Sequence, residues 1–222
     1  MASARMTYSV PTSIARDDLN LPLQVFLFTE TDVEKVVSKA VELIEEPSAV
    51  KASIGVPFYW TAEKTAEGGF KVLLAGQGAD ELFGGYQRYV NEYLLHGAES
   101  VRKAMFDDAV KVHENNIERD VKICDFHKVE LRLPFASYQI AELAMALPTE
   151  LKIERKADSL RKLVLRKVAE NMGLPLLIAE KPKKAVQYST GICNALKKIA
   201  KKQNATIAEY VNDLFLSQTN QN

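Results

Sequence analysis

Lys71-Val-Leu-Leu-Ala-Gly-Gln-Gly-Ala-Asp-Glu-Leu-Phe-Gly-Gly-Tyr-Gln-Arg-Tyr89 decides how the rest of the 222-residue chain is read. The apolar run Val72 to Ala75 reads as a short buried strand. Gly76 and Gly78 then flank Gln77, Asp80 and Glu81 follow at once, and Gly84-Gly85 closes the segment. A strand entering a glycine-rich turn and then an acidic helix start is a setting for nucleotide chemistry. Backbone amides can approach phosphate oxygens at Gly76 and Gly78 because no Cβ stands in the way. Asp80 and Glu81 supply hard oxygen ligands that suit the Mg²⁺ carried by a nucleoside triphosphate. On the residues alone, the stretch reads equally as a strand–turn–helix corner whose carboxylates favour the helix N-terminus.

Working outward, Thr7-Tyr-Ser-Val10 and Leu23-Gln-Val-Phe-Leu-Phe28 read as strands. Thr31-Asp-Val-Glu34 has the form of a capping box. Val33, Val36, Val37, Ala40, Val41 and Ile44 follow at helical spacing, and Pro47 closes that helix. Val56 to Ala66 reads as a second helix with Pro57 in its first turn. Strand, helix, helix, strand, loop, helix is the rhythm of an α/β layer on parallel strands, with ligands at the strands' carboxyl ends. From about Tyr86 onward no strand is expected. Helices are predicted over Tyr89–Leu95, Val101–Val112, Tyr138–Ala146, Ser159–Met172 and Asn194–Lys201. The expected organisation is one domain over 1–222, α/β in 1–86 and mainly helical in 87–222.

Hydrophobic residues make up 47% of the chain, enough for a full core. The formal net charge is +0, from 29 basic and 29 acidic side chains, which argues against a nucleic-acid binder. No run of about 18 apolar residues is present, so no membrane span is expected. The start Met-Ala-Ser-Ala-Arg-Met lacks the layout of a secretory signal. Cys124 and Cys193 are far apart in sequence and fit structural roles in a reducing cytoplasm.

Gly76-Gln-Gly-Ala-Asp-Glu-Leu-Phe-Gly-Gly-Tyr86 resembles the signature of the synthetase domain of asparagine synthetases and their β-lactam synthetase relatives, normally Ser-Gly-Glu-Gly-Ala-Asp-Glu-Leu-Phe-Gly-Gly-Tyr. The resemblance implies an adenine nucleotide alpha hydrolase-like (PP-loop) parallel sheet with a helical C-terminal lobe. It also implies ATP and Mg²⁺ as cofactors, with Gly76 and Gly78 along ATP and Asp80 on the metal. The implied reaction activates a carboxylate, aspartate above all, as an acyl-adenylate that ammonia then attacks. Ala75 replaces the family's Ser, and Gln77 replaces a Glu to which a part in the transfer step has been ascribed. A neutral amide cannot act as a base near pH 7.

Lys181-Pro-Lys-Lys-Ala-Val-Gln-Tyr-Ser-Thr-Gly191 resembles the late family segment whose lysine reaches the ATP phosphates. The matching residue is Lys183, with Lys184 as the adjacent alternative. An ammonium near the α-phosphate would stabilise charge as pyrophosphate leaves. His127-Lys-Val-Glu-Leu-Arg-Leu-Pro-Phe135, preceded by Arg119-Asp120, resembles the family's Glu-X-Arg-X-Pro-Phe-Leu-Asp. A buried Glu130–Arg132 pair shaping the pocket floor is expected there, and His127 is expected to be structural. Lys156, Arg161, Lys162, Arg166 and Lys167 read as the solvated face of a helix.

The family's N-terminal phosphate loop, Ser-Gly-Gly-X-Asp-Ser, does not occur in the sequence, nor does a glutaminase domain. The expectation is therefore a chain shortened at its N-terminal side. It would take free ammonia or a separate glutaminase subunit as its nitrogen source, or act as a non-catalytic homologue that binds a ligand or partner, or be a fragment of a longer working protein.

Overall fold

Thr29 starts the first helix, one turn-residue pair earlier than the expected cap at Thr31. Its hydroxyl accepts from the Asp32 amide while the Asp32 carboxylate accepts from the Thr29 amide, a reciprocal capping box on a different pair of residues. The helix, α1 (Glu30–Ile44), buries Val33, Val37, Ala40, Val41 and Ile44 on one face, as its spacing predicts. The structure, a computed structural model, describes residue 15, residues 19–182 and residues 185–219. The predicted strand Thr7–Val10 lies outside them.

The chain divides into two units, residues 1–57 with 184–222, and residues 58–183. In the first unit α1 packs against α11 (Ile192–Lys202) and α12 (Ile207–Thr219), and α10 (Val186–Ser189) packs on α11. Leu196, Ile199, Ala200 and Val211 are buried there. Glu30 pairs with Lys202 at 2.8 Å and Lys198 at 3.4 Å, and the Gln218 amide donates to the Ser38 carbonyl at 2.7 Å. Leu23–Phe28, expected as a strand, is exposed apart from half-buried Phe28 and forms no strand. β-propensity reflects fit to a half-buried sheet surface, and this segment has no ladder partner among the described residues.

α2 (Ala49–Glu67) begins earlier than expected and runs through Pro57, which sits inside it. The second unit, from Phe58, holds the rest of the architecture. After β1 (Val72–Leu74) come α3 (Ala79–Leu82), α4 (Gln87–His96), α5 (Ala98–Val110), a π-helical turn over 113–117 and α6 (Glu118–Phe126). Then follow β2 (Glu130–Arg132), α7 (Tyr138–Ala146), α8 (Leu163–Asn171) and α9 (Leu176–Ala179). β1 and β2 pair in parallel, Val72 opposite Glu130 and Leu74 opposite Arg132. Parallel strands need a long crossover, which the helices between them provide. The expected parallel pairing is thus present, but the described sheet has two strands of three residues each, in a chain that is mostly helix. β2 also corrects the reading that no strand follows Tyr86.

Tyr89, Val90, Tyr93, Val101, Met105 and Ile153 form one buried cluster, and Leu82, Phe83 and Ala144 another. Gly84 presses on the first: its φ is +74°, and a Cβ there would lie 2.9 Å from both Ile153 and Met105. Lys152 is buried beside this cluster, at 2% exposure. Burial, and then the positive charge of Arg102, push its ammonium down to about 8. A folded value depressed below the unfolded one makes the charged form costly, and that cost disappears only above the unfolded pKa. Lys152→Met should therefore stabilise the protein at pH 7, by at most about 3 kcal/mol. The gain should shrink to nothing by about pH 10.5 in chemical denaturation, and a pH-independent gain would mean that burial does not depress the Lys152 ammonium.

Candidate functional site

The glycine-rich turn hangs from the end of the parallel pair. The Glu130 amide donates to the Lys71 carbonyl at 2.8 Å and the Ala75 amide donates to the Arg132 carbonyl at 3.0 Å, so the pairing holds until the turn begins. Gly78 then takes φ +91° and caps α3. A Cβ on Gly78 would stand 3.2 Å from the Phe135 backbone, so the fold itself requires a glycine there. Gly76 is different. It has no left-handed φ, and no described residue lies within 4 Å of where its Cβ would be. Neither conformation nor packing explains the residue, and its backbone is open to an approaching group.

The two acids that follow point to different fates. Glu81 is buried and accepts from the Tyr86 hydroxyl and from the Asn116 amide at 2.9 Å. Burial and the Glu81 charge hold the Tyr86 phenol well above its usual range. Glu81 is thus part of the frame. Asp80 is a quarter exposed, and its Oδ1 lies 2.8 Å from the Lys162 ammonium. A Cβ on Gly85 would fall on that carboxylate oxygen and 2.6 Å from Lys162 Cε, so Gly85 is what lets the pair seat itself. Lys162 does not lie on a solvated helix face as expected: it precedes α8, with φ +61°, and turns its side chain to Asp80.

Gln77 is half-buried, and its side-chain amide donates to Asp120 Oδ2. Arg119 grips the same carboxylate, Nε at 2.7 Å from Oδ1 and Nη2 at 3.0 Å from Oδ2. Burial raises the Asp120 carboxyl, against which Arg119 and Gln77 act to lower it. The amide at Gln77, where a carboxylate is usual in the resembling family, is the residue that Asp120 can use. A Glu there would set two carboxylates together. Arg119 and Asp120 were visible in the sequence only as neighbours of a motif; their joint burial, 4% and 0% exposure, gives them weight.

Lys183, the expected phosphate-reaching lysine, and Lys184 lie outside the described residues. Glu130 and Arg132 do pair, at 2.8 Å, but both side chains are about 60% exposed, so the expected buried pair is a surface pair. They share the side of a strand whose other side, with Leu131, is the more covered. His127 meets Tyr59 edge-on at 4.4 Å and Phe126 at 5.0 Å, and burial lowers its pKa, as suits an aromatic packing role. Cys124 is buried and its thiol is pushed up to about 12 by burial; both cysteines are free.

Among the described residues no three His, Cys, Asp or Glu side chains gather as a metal cluster, and no helix is long and apolar enough to cross a membrane. The donor set at Asp80 suits a different kind of site. Mg²⁺ keeps several waters and takes only one or two protein carboxylates beside substrate phosphates, so a lone carboxylate such as that of Asp80 falls within its range of donor sets.

The family profile for asparagine synthase matches residues 13–100 and 91–220. The chain belongs to the asparagine synthase family. It is 35% identical over 214 residues to a Methanocaldococcus jannaschii protein assigned as asparagine synthetase (glutamine-hydrolyzing) 1, covering 83% of this chain and 39% of that one. It is 28% identical over 174 residues to the asparagine synthetase (glutamine-hydrolyzing) of Asparagus officinalis, covering 75% and 28%. Against the human asparagine synthetase domain-containing protein 1 it is 31% identical over 133 residues, covering 58% and 20%. This chain therefore spans two fifths or less of the length of these relatives.

Gln77→Leu would remove a donor from Asp120, whose folded pKa would rise further. A raised folded value leaves the fold's stability intact below the unfolded pKa near 3.9 and takes it away as pH climbs through the folded value. The variant's deficit against the parent should be small at about pH 3.5 and reach roughly 1–2 kcal/mol at pH 7. Urea unfolding at the two pH values reads this, and equal deficits would show that Asp120 does not depend on Gln77.

Proposed function

We propose that this chain carries the ATP-handling face of an asparagine synthetase-type amide-forming ligase. The observation that supports this most directly is the corner at the end of β1. An exposed, unfilled glycine, Gly76, stands four residues before a carboxylate, Asp80, that is held 2.8 Å from an ammonium, Lys162. In this reading the Gly76 backbone lies along ATP, Asp80 holds Mg²⁺, and Lys183 meets the α-phosphate. The substrate carboxylate, aspartate by the family's naming, attacks the α-phosphorus and pyrophosphate leaves. Ammonia then attacks the acyl carbon, AMP leaves, and the nitrogen gives up a proton. Gln77 cannot take that proton. Held through its amide NH₂ by Asp120, it keeps its carbonyl oxygen for accepting a hydrogen bond, which suits orienting a nitrogen nucleophile. The nitrogen donor in this reading is ammonia, free in solution or released by a glutaminase, and a cytoplasmic setting fits such chemistry.

A second reading is a homologue that binds a nucleotide or partner without turnover. The residue that favours it is Gln77, a neutral amide where the family's carboxylate is ascribed a part in the transfer step.

Exchange of labelled pyrophosphate into ATP, dependent on aspartate and Mg²⁺, separates the two readings. Turnover predicts exchange that Asp80→Ala abolishes. Calorimetric Mg·ATP binding with no exchange favours the second reading, and Mg²⁺ dependence unchanged in Asp80→Ala removes Asp80 from the site.

A further inference from the structure

Lys162 stands where the backbone suits a different residue. Its φ is +61° and its ψ 44°. Glycine adopts this left-handed conformation freely, and a long side chain seldom does. The main chain around it is anchored. The Leu163 amide donates to the Lys152 carbonyl at 2.9 Å, and the Arg166 amide donates to the Lys162 carbonyl at 3.1 Å. Neither bond calls for a lysine. The side chain is used at its end, where the ammonium lies 2.8 Å from Asp80 Oδ1, an oxygen closed to solvent. The contact is an ion pair and not an aligned hydrogen bond. The lysine stem passes so close to Gly85 that a Cβ there would lie 2.6 Å from its Cε. All of these residues belong to the second unit.

A divalent cation at Asp80 competes with this ammonium. Mg²⁺ binds a carboxylate oxygen at roughly 2.0–2.1 Å, so metal and ammonium cannot both hold Oδ1. A metal on the other oxygen would still sit within a few ångströms of the ammonium, and like charges repel at that range. Mg²⁺ also gives up its water reluctantly, so the bare ion gains little by stranding a lysine. A metal carried on a polyphosphate differs, because it brings the anion that a displaced ammonium can meet. The displacement needs no change in the fold. Lys162 keeps 23% of its side-chain surface exposed, and its four-carbon stem is flexible while the main chain stays anchored.

We infer that Lys162 holds the metal's place at Asp80 in the nucleotide-free protein, yields it to a divalent cation that arrives on a polyphosphate, and then pairs with that polyphosphate. The inference rests on the reading of Asp80 as the Mg²⁺ ligand and adds a positioning residue to it. Metal and polyphosphate then bind as coupled ligands, each tightening the other by the same factor. Metal alone binds weakly, because Lys162 opposes it.

The test titrates the full chain with Mn²⁺ as the metal probe, alone and with pyrophosphate, and reads protein-bound Mn²⁺ by water-proton relaxation against the same mixtures without protein. Lys162→Met should tighten binding of Mn²⁺ alone about tenfold. Lys162→Arg keeps the charge and should leave that binding weak. Lys162→Gly suits the left-handed backbone and should behave as Lys162→Met does, so the comparison decides even if Lys162→Met folds poorly. Pyrophosphate should raise bound Mn²⁺ at least about fivefold in the parent, and by less in Lys162→Gly. Equal affinity for Mn²⁺ alone in the parent and in Lys162→Gly, or an undiminished pyrophosphate effect in that variant, would overturn the inference. Should Asp80→Ala still weaken Mn²⁺ binding with pyrophosphate in that event, the ATP reading stands without it. If Asp80→Ala changes neither binding, both are lost.

Discussion

Six residues of parallel strand hold the candidate site in place. The hydrogen bonds from Glu130 to Lys71 and from Ala75 to Arg132 bring two segments some sixty residues apart into one short sheet. Everything chemical follows from where that pairing stops. The chain leaves β1 at Ala75, turns through Gly76–Gly78 and enters α3, so that Gln77 meets Asp120 on one side and Asp80 meets Lys162 on the other. The return strand leads straight into the 3₁₀ turn at Pro134–Ala136, whose backbone sits against Gly78. A slip in the register of this pairing would move both contacts together.

Charge is sorted around this corner by depth. Arg119 and Asp120 are buried as a bidentate pair with Gln77 completing the carboxylate's partners. Glu81 is buried on hydroxyl and amide donors. Asp80 and Lys162 keep about a quarter of their side-chain surface exposed. Removing one partner of a buried ionic group leaves the other uncompensated, and that is expensive, whereas a partly exposed pair can exchange partners at smaller cost. The arrangement thus leaves the outer acid adaptable and fixes the inner ones.

Much of this was legible in the residues. The strand–turn–helix at Val72–Leu82, the apolar face of α1 and the helix at Tyr138–Ala146 follow from local pattern, and the run Gly76–Tyr86 named the family. β2 was misread although Val129, Leu131 and Leu133 alternate with Glu130 and Arg132, the period of a strand, because three residues are too few for pattern to outweigh helical surroundings. Leu23–Phe28 failed for the opposite reason: its composition suits a sheet, but no strand among the described residues pairs with it. Lys162 and Asp120 were hidden because a salt bridge across eighty residues, or a carboxylate taken to full burial, leaves no trace in spacing. The cap moved from Thr31 to Thr29 because both offer a hydroxyl three residues before a carboxylate, and sequence alone does not choose between them.

The bareness of Gly76 separates two kinds of selection that usually act on one residue. Its neighbours Gly78, Gly84 and Gly85 are each spoken for by the architecture, through backbone, core side chains or a seated ion pair. An added methyl at any of these would be felt by the polypeptide whether or not anything else were present. At Gly76 the same methyl would meet no described residue, and a visitor to that surface would notice it. Drift at this one position across descendants of the chain would therefore record the history of what it meets, uncontaminated by the needs of folding.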